Sequence, residues 1–324
     1  MRIVFFGCDD FAAVHLQRLI DDGHFLAGLV TQPDKPKGRG MHIVPSPTKK
    51  IALPHSIHVF QPENLKDPVF LLQLKACQAD IFVVVAYGKL LTDEVLNIPA
   101  YGCVNVHPSL LPKYRGAAPV NWAVINGDTV TGVTLIRMNA SMDGGDILTQ
   151  EECPLSEIMT SVELRALLMV QGAKMLSALL PRFEAGNITA LKQDETLASR
   201  APKLNKELGL INWNMPAKKI HDLVRGTQPW PGAYTFYKGG LLKVLEAQPV
   251  AANLLSTGSP GQIVEVRKDG FYVQAEDQAV WIKRVHPAGG KSMDARSFCA
   301  GHKVFSGERM GFFSGGANVS VDSH

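Results

Sequence analysis

Short, continuously apolar runs recur through the first 110 residues, and they limit the possible folds more than any other feature of the chain. Segments with helical periodicity lie between them, at residues 11–20 and 70–76. Strands that are apolar on both faces and alternate with helices are typical of a parallel sheet covered on both sides. The N-terminal part is therefore predicted to be an α/β domain with a Rossmann-like, mostly parallel sheet. The runs are RIVFF (2–6), FLAGLVT (25–31), DIFVVVA (80–86) and GCVNVH (102–107).

The turn after the first strand does not suit a dinucleotide. A Gly-x-Gly-x-x-Gly turn would place backbone amides against a pyrophosphate. In this chain Gly7 is followed by Cys8, Asp9 and Asp10, and two carboxylates at that point would repel phosphates. NAD binding is therefore not expected.

The five cysteines are scattered, and none belongs to a Cys-x-x-Cys pair. This usage is typical of a reducing compartment and argues against a disulfide framework or a zinc ribbon. The first strand pattern begins at Arg2, which leaves no room for a signal peptide. No apolar run approaches the ~18 residues that a membrane span requires. We expect a cytoplasmic monomer without metal or membrane contact.

The character of the chain changes after residue 189. Residues 190–207 are polar and interrupted by Pro202, which predicts a linker after a catalytic domain at 1–189. A short helix at 216–226 and a series of β-like runs separated by glycine turns then predict a small OB-like β-barrel over 208–310, with a flexible tail at 311–324. Residues 205–324 hold 14 Lys and Arg against 10 Asp and Glu. This is a mild indication of an anionic partner, and a solvated basic face would explain it equally well.

Three polar residues follow or end predicted strands. Asn105 and His107 are two apart on the strand at 102–107, so their side chains point to the same face near its carboxyl end. Asp143 lies in MDGGDI (142–147), beside a Gly-Gly turn and just after the strand predicted at 131–138. A glycine turn lets a carboxylate approach an imidazole closely. An Asp beside a His favours the charged imidazole and orients its ring.

Asn, His and Asp without a Ser or Cys nucleophile suit acyl transfer in which the substrate supplies the nucleophile. Asn105 would donate a hydrogen bond to the developing oxyanion, an interaction that contributes roughly 2.7–4 kcal/mol in comparable sites. His107 would move protons. An amine acceptor fits best, because an α-amino group titrates near ~7.7–8 and is partly neutral at pH 7. Taken in isolation, a pair such as Asn105 and His107 is more often a set of ordinary polar residues at a strand end.

The stretch NVHPSLLPKYRGAAPVNWAV (105–124), together with MDGGDI, resembles the folate-dependent formyltransferases. The resemblance extends from about Arg2 to Val304. Within the family it is greatest to the members that act on a charged tRNA. The segments that carry this part of the resemblance are RIVFFGCDDFA (2–12), TQPDKPKGRGMHIVPSPTKKIA (31–52) and KLNKELGLINWNMPAKKIHDLVRGTQPWPGAYT (203–235). One departure is Cys8-Asp9-Asp10, where the family usually has Thr-Pro and a variable residue.

The resemblance implies a donor, an acceptor and a set of site residues. The donor is 10-formyltetrahydrofolate, and the acceptor is the α-amine of methionine esterified to initiator tRNA, which gives N-formylmethionyl-tRNA for translation initiation. The C-terminal barrel would contact the tRNA. The matching positions are Asn105, His107 and Asp143 for catalysis, and Ser109, Leu110, Leu111, Pro112, Tyr87 and Gly88 for the folate.

A basic stretch at 34–50 would form an unusually long loop. It carries five Lys and Arg residues against Asp34, and a solvated loop without a partner is the alternative interpretation. In the family this loop enters the acceptor arm of the tRNA, where lysines contact phosphates. The tRNA candidates by this match are Arg39, Lys37, Lys35 and, outside the loop, Lys206.

Several other functions share part of this pattern. Glycinamide ribonucleotide formyltransferases have the same three residues but no C-terminal barrel. Sugar-nucleotide formyltransferases carry a related second domain, although a small acceptor has no use for the basic loop. A folate hydrolase would replace the amine by water. A non-catalytic RNA-binding protein is the alternative from another class, and the intact set of Asn105, His107 and Asp143 argues against it.

Overall fold

The computed structural model describes residues 1–37, 42–251 and 258–311, and the chain divides into two compact units. Unit 1 comprises Met1–Ala123, Asp128–Glu157 and Val162–Lys203, and unit 2 comprises Val124–Gly127, Ile158–Ser161 and the chain from Leu204 onward. None of the helices in the described part of the chain combines the length and apolar character needed to cross a bilayer.

Unit 1 is built on a seven-stranded sheet. The strands of the unit are β1 (Arg2–Gly7), β2 (Phe25–Val30), β3 (Lys35–Lys37), β4 (His42–Val44), β5 (Val59–Phe60), β6 (Ile81–Val85), β7 (Cys103–His107), β8 (Arg115–Gly116), β9 (Val130–Arg137), β10 (Asp146–Pro154) and β11 (Arg200–Ala201). Four of them lie outside this sheet and form two separate pairs, β3 with β4 and β8 with β11. The helices are α1 (Asp10–Asp21), α2 (Pro47–Ala52), α3 (Pro68–Ala76), α4 (Asp93–Leu96), α5 (Pro119–Asn126) and α6 (Ser161–Glu184), the last two of which extend into unit 2.

The strand order of the main sheet is β10-β9-β7-β6-β1-β2-β5. The strands from β7 to β5 pair in parallel, and only β9 runs against its two neighbours. Strands β1 and β6 are buried along almost their whole length, as expected for parallel strands covered on both faces. The predicted α/β fold with a mostly parallel sheet is confirmed.

The two carboxylates after β1 have a structural role. The Asp9 side chain accepts a hydrogen bond of 3.0 Å from the backbone N–H of Ala12 and so caps helix α1. Asp10 then lies in the first turn, where a negative charge is stabilised by the helix dipole. The two residues that argue against pyrophosphate binding, Asp9 and Asp10, therefore stabilise the start of helix α1.

Unit 2 contains a separate antiparallel sheet. Its elements are α7 (Ala217–Gly226), β12 (Tyr234–Tyr237), β13 (Gly240–Pro249), β14 (Ile263–Arg267), β15 (Gly270–Gln274), β16 (Ala279–Pro287), β17 (Met293–Asp294) and α8 (Ala295–His302). The order is β12-β13-β16-β15-β14, with β17 paired to β16. The segment at 308–311 joins the two edges, since Met310 donates to the Gly261 carbonyl and Gly311 donates to the Phe236 carbonyl. This closes the sheet into a small barrel.

The polar stretch predicted as a linker is packed along unit 1 up to Lys203. Leu191 forms an antiparallel bridge with Ile147, and β11 pairs in parallel with β8. The predicted flexible tail lies outside the described residues from position 312 onward.

Candidate active site

A cavity of about 520 Å³ opens at the carboxyl ends of β6 and β7 in unit 1. Tyr87 and Gly88 line it from the loop after β6, and Asn105 and His107 line it from β7. Asp143 lines it from the turn that joins β9 to β10. The volume is within the ~300–1,000 Å³ of small-molecule sites. The structure thus brings the three catalytic candidates, which span 39 residues of sequence, to one cavity.

Strand β7 positions the first two candidates. Asn105 pairs with Val84 of β6 on one side and with Ile136 of β9 on the other, and His107 pairs with Thr134. A strand held from both sides has little freedom, so the two side chains emerge from a rigid backbone. Pro108 cannot donate to a ladder, and the backbone turns away from the sheet at this point.

His107 is 4 % exposed, and both of its ring nitrogens face oxygen atoms. Nε2 lies 3.0 Å from the carbonyl oxygen of Tyr114, and Nδ1 lies 3.6 Å from Oδ1 of Asp143. Both oxygens only accept, but 3.6 Å is too long for a hydrogen bond, so we assign the hydrogen of the neutral ring to Nε2. Nδ1 is then the nitrogen with the lone pair, and it is the atom that can take up a proton beside the carboxylate.

Burial lowers the pKa of His107, while Asp143 and the Tyr114 carbonyl act in the opposite direction. The lowered pKa keeps the ring neutral at pH 7. The carboxylate is placed to stabilise the imidazolium once Nδ1 has been protonated. The site therefore suits a group that accepts a proton during a reaction and releases it again.

Asp143 adopts a left-handed backbone conformation with φ of 52°. Such a conformation is uncommon for residues other than glycine and often marks a functional turn. Its Oδ2 accepts a hydrogen bond of 2.8 Å from the backbone N–H of Gly116, which leaves Oδ1 towards His107. At Gly145, an added Cβ would lie 1.9 Å from the Arg137 carbonyl oxygen. The glycine in this turn is therefore required by close backbone contact.

The folate candidates fall into two groups. Tyr87 and Gly88 line the cavity, and the backbone there is left-handed at Ala86 (φ 46°) and Gly88 (φ 77°). The Tyr87 carbonyl accepts from Nε2 of Gln32 at 2.9 Å, which ties this loop to the end of β2.

The turn Ser109, Leu110, Leu111 and Pro112 is not part of the described cavity lining. Ser109 and Leu111 are buried beneath it, where Thr134 Oγ1 donates to the Ser109 carbonyl and accepts from the Leu111 N–H. These hydrogen bonds anchor the turn to β9. Their contact with folate stays a prediction.

The tRNA candidates are less fully described. Lys35 is exposed in β3, which pairs with β4 as a short hairpin, and the backbone of Lys37 lies in the same strand. Arg39 lies outside the described residues. Lys206 is exposed in unit 2, next to a short 3₁₀ turn at Glu207–Gly209.

Lys49, one of the five basic residues of the loop region, is already paired. Its Nζ lies 2.5 Å from Oδ2 of Asp34 and 2.7 Å from Oε1 of Gln61. The hydrogen bond from Lys49 lowers the pKa of Asp34. This pair joins the two ends of the basic stretch and removes one positive charge from those that could contact phosphates.

The cavity also holds a charged pair that was not predicted from the sequence. Asp9 and Arg165 both line it, and Arg165 Nη2 lies 2.5 Å from Oδ2 of Asp9. The departure from the family pattern at Asp9 could have directed attention there, whereas Arg165 lies on α6, more than 150 residues away in sequence. No group of three or more potential metal ligands occurs among the residues that the structure describes.

Comparisons with known proteins identify the family of the chain. The family model "Formyl transferase" matches residues 1–180, and "Formyl transferase, C-terminal domain" matches residues 203–303. The chain belongs to the formyl transferase family. A curated relative from Acetivibrio thermocellus, "Methionyl-tRNA formyltransferase", is 44% identical over 311 residues, which cover 96% of this chain and 100% of the relative.

Solved structures share the fold at low sequence identity. A sugar 3N-formyl transferase, WlaRD, crystallised with dTDP and 5-N-formyl-THF, has a TM-score of 0.64 at 17% identity, and the match covers 89% of this chain and 98% of WlaRD. HypX from Aquifex aeolicus in complex with tetrahydrofolic acid has a TM-score of 0.61 at 18% identity. That match covers 92% of this chain but only 47% of HypX, so the chain spans about half of the HypX length.

Proposed function

We propose that this protein transfers the formyl group of 10-formyltetrahydrofolate to the α-amino group of initiator methionyl-tRNA, as a cytoplasmic monomer. The observation that carries the proposal is the meeting of Asn105, His107 and Asp143 at one cavity, in a chain 44% identical over its length to a curated methionyl-tRNA formyltransferase. No residue of the three is a Ser or Cys, so the amine itself is the nucleophile.

The reaction joins the amine nitrogen to the formyl carbon and breaks the bond from that carbon to N10 of the folate. The carbonyl oxygen gains negative charge in the tetrahedral intermediate. Asn105 emerges from a strand that is paired on both sides, and its amide N–H group is the donor proposed for this oxyanion. A preorganised donor of this kind lowers the activation barrier by roughly 2.7–4 kcal/mol.

One proton leaves the attacking amine, and one proton must reach N10 as it departs. His107 Nδ1 is proposed to take the first proton and deliver the second, so that no net proton is consumed. Burial keeps the ring neutral at the start, and the Asp143 carboxylate 3.6 Å away stabilises it once it is charged. The hydrogen bond between Nε2 and the Tyr114 carbonyl fixes the orientation of the imidazole ring.

The cavity lining suits a folate donor. Apolar side chains and backbone from Phe11, Leu91, Val120 and Met138 accompany the few polar groups, as is usual for planar aromatic ligands. Contacts of the donor with Tyr87 and Gly88 are supported by their position on the lining. Contacts with Ser109, Leu110, Leu111 and Pro112 rest on the family resemblance.

The first experiment measures formyl transfer from 10-formyltetrahydrofolate to initiator methionyl-tRNA, with elongator methionyl-tRNA and a small amine sugar in parallel. We expect rapid turnover of the initiator alone. Transfer to the amine sugar instead would move the acceptor to a small molecule. Folate turnover without an acylated product would indicate hydrolysis, and tRNA binding without any turnover would indicate a non-catalytic RNA-binding protein.

We propose that Arg39, Lys35, Lys37 and Lys206 contact the tRNA, and Arg39 is tested first. Arg39→Ala is expected to raise KM for initiator methionyl-tRNA and to leave folate binding intact. Lys66→Ala, which removes an exposed positive charge outside the basic stretch, is the control for a general charge effect. Equal kinetics of the two variants at moderate salt would remove Arg39 from the interface.

A further inference from the structure

The segment predicted as a linker contributes a residue that touches the catalytic turn. Gln193 lies between the bridge at Leu191 and strand β11, and its side chain is partly buried. Its Nε2 donates two hydrogen bonds of 2.7 Å, one to the carbonyl of Asp143 and one to the carbonyl of Gly145. The two acceptors lie on either side of Gly144, in the turn that carries the Asp143 carboxylate.

The other end of the Gln193 amide is held as well. Its Oε1 accepts from Arg115 Nη2 at 2.8 Å and from Arg115 Nε at 3.1 Å. The Arg115 guanidinium also forms two hydrogen bonds of 2.8 Å with Glu195. The two hydrogen bonds from Arg115 therefore orient the Gln193 side chain. If the amide flipped, Nε2 would no longer donate to the turn.

These contacts form a closed ring around Asp143. The Asp143 carboxylate accepts a hydrogen bond from the N–H of Gly116, which follows Arg115 in β8. Arg115 donates to the side chain of Gln193, and Gln193 donates to the Asp143 carbonyl. Pairing of β8 with β11 fixes the same ring from the backbone side. Both the backbone and the carboxylate of Asp143 are therefore held by residues at 115–116 and 193.

We propose that Gln193 is a positioning residue for Asp143, and that it fixes the left-handed turn so that Oδ1 lies beside His107 while Oδ2 accepts from Gly116. The residue does not line the cavity, so it acts through Asp143 and not on the substrate. The catalytic part of this inference rests on the proposed function. The part that concerns the environment of His107 does not.

The left-handed backbone explains why the turn needs this support. A residue other than glycine is generally less stable in this region than in an extended or helical conformation. Two hydrogen bonds from a single amide can offset that difference and select this conformation. A catalytic group displaced by about 1 Å can lower the rate by about 10²-fold.

Two variants test the proposal. Gln193→Met keeps the length and removes every hydrogen bond, and Gln193→Glu keeps an acceptor for Arg115 but cannot donate to the turn. Thr196→Ala, on the exposed 3₁₀ turn Glu195–Leu197 of the same segment, is the matched control. We expect both Gln193 variants to lower kcat by about 10-fold to 100-fold, with KM for the folate donor changed by less than about 2-fold. The control is expected to match the wild type.

A second readout is independent of turnover. The imidazole of His107 is titrated by NMR, with its signal assigned by comparison with His107→Gln. Asp143 raises the pKa of His107, so displacement of the carboxylate in Gln193→Met, which adds no charge, should lower the pKa below the wild-type value. A merely structural role of Gln193 would change the stability of unit 1 without changing this titration.

The outcomes separate the two proposals. An unchanged titration in Gln193→Met together with an unchanged kcat in both variants would overturn the positioning role, and so would a loss confined to KM. If Gln193→Met does not fold, the kcat of Gln193→Glu decides the question. If wild-type protein transfers no formyl group to methionyl-tRNA, the proposed function fails, while the shift of the His107 titration still supports or overturns the positioning of Asp143.

Discussion

Two buried histidines in unit 1 have nearly the same exposure and opposite surroundings. His107 ends β7 at the cavity, and His15 lies on α1 and is stacked on Phe11 with a ring separation of 4.9 Å. His15 Nδ1 is 2.7 Å from the Phe11 carbonyl, and its Nε2 has no hydrogen-bond partner among the described residues. Burial lowers the pKa of both rings, so burial alone does not distinguish a catalytic imidazole from a structural one.

The two histidines differ in the group that faces the ring nitrogen not bonded to a backbone carbonyl. Nδ1 of His107 faces a carboxylate at a cavity that substrate can enter, so a proton taken up there has a stabilising partner. Nε2 of His15 packs near α6, where an added Cβ on Gly172 would lie 2.8 Å from it. A proton on His15 would be an unpaired buried charge. One ring is therefore suited to change its charge, and the other to stay neutral.

The largest effects are expected for catalysis. Asn105→Ala should lower kcat by about 10²–10³-fold, because it removes an oxyanion donor, whereas His15→Gln should retain kcat within about 3-fold of the wild type. Single-turnover formyl transfer, with folate binding measured alongside, checks both. A loss in His15→Gln as large as that in Asn105→Ala would break the distinction between the two regions.

The second effect concerns stability at low pH. Burial lowers the pKa of His15 to about 4 from 6.5, so the unfolded state binds the proton first as the pH falls below 6.5. The free energy of unfolding should decrease between pH 6.5 and 4, by up to about 3 kcal/mol from this residue. Urea unfolding of the wild type and of His15→Gln at pH 7 and pH 4.5 measures it. The same pH dependence in both proteins would assign the decrease to other groups.

The third effect concerns packing around His15. Gly172→Ala would place a methyl group 2.8 Å from His15 Nε2 and 2.9 Å from Val106 Cγ1. Overpacking should exceed the gain in helix propensity and destabilise the protein by about 1–2 kcal/mol. Gly301→Ala in α8, whose Cβ would meet nothing within 4 Å, is the control and should not destabilise. Thermal unfolding of both variants makes the comparison.

The smallest effect is a change in titration. Asp143→Asn keeps a residue that tolerates the left-handed turn but removes the charge that raises the pKa of His107. The midpoint of the His107 NMR titration should be below 6.5 in the wild type and lower still in the variant. The His15 signal should not move. A rise for His107 would contradict the assigned role of the carboxylate.

Whether a strand can be predicted from the sequence depends on how much of it is buried. Strands β1, β2, β6 and β7 were recognised because a strand buried on both faces must be apolar throughout. Strand β10 was missed. It is an edge strand that pairs only with β9 in the main sheet, and its exposed polar residues Gln150, Glu151 and Glu152 do not read as an apolar run. The charged pair of Asp9 and Arg165 joins α1 to α6, and no local pattern connects them.

The sequence by itself determined the parallel sheet and the common face of Asn105 and His107, because both depend on local periodicity. The Asp143 turn was also visible as a glycine pair after a strand. Only the tertiary structure decided that the Tyr114 carbonyl holds Nε2 of His107 and that Gln193 holds the Asp143 turn. These contacts use backbone carbonyls, which every residue carries. Their partners are therefore set by chain packing and leave no signature in residue type.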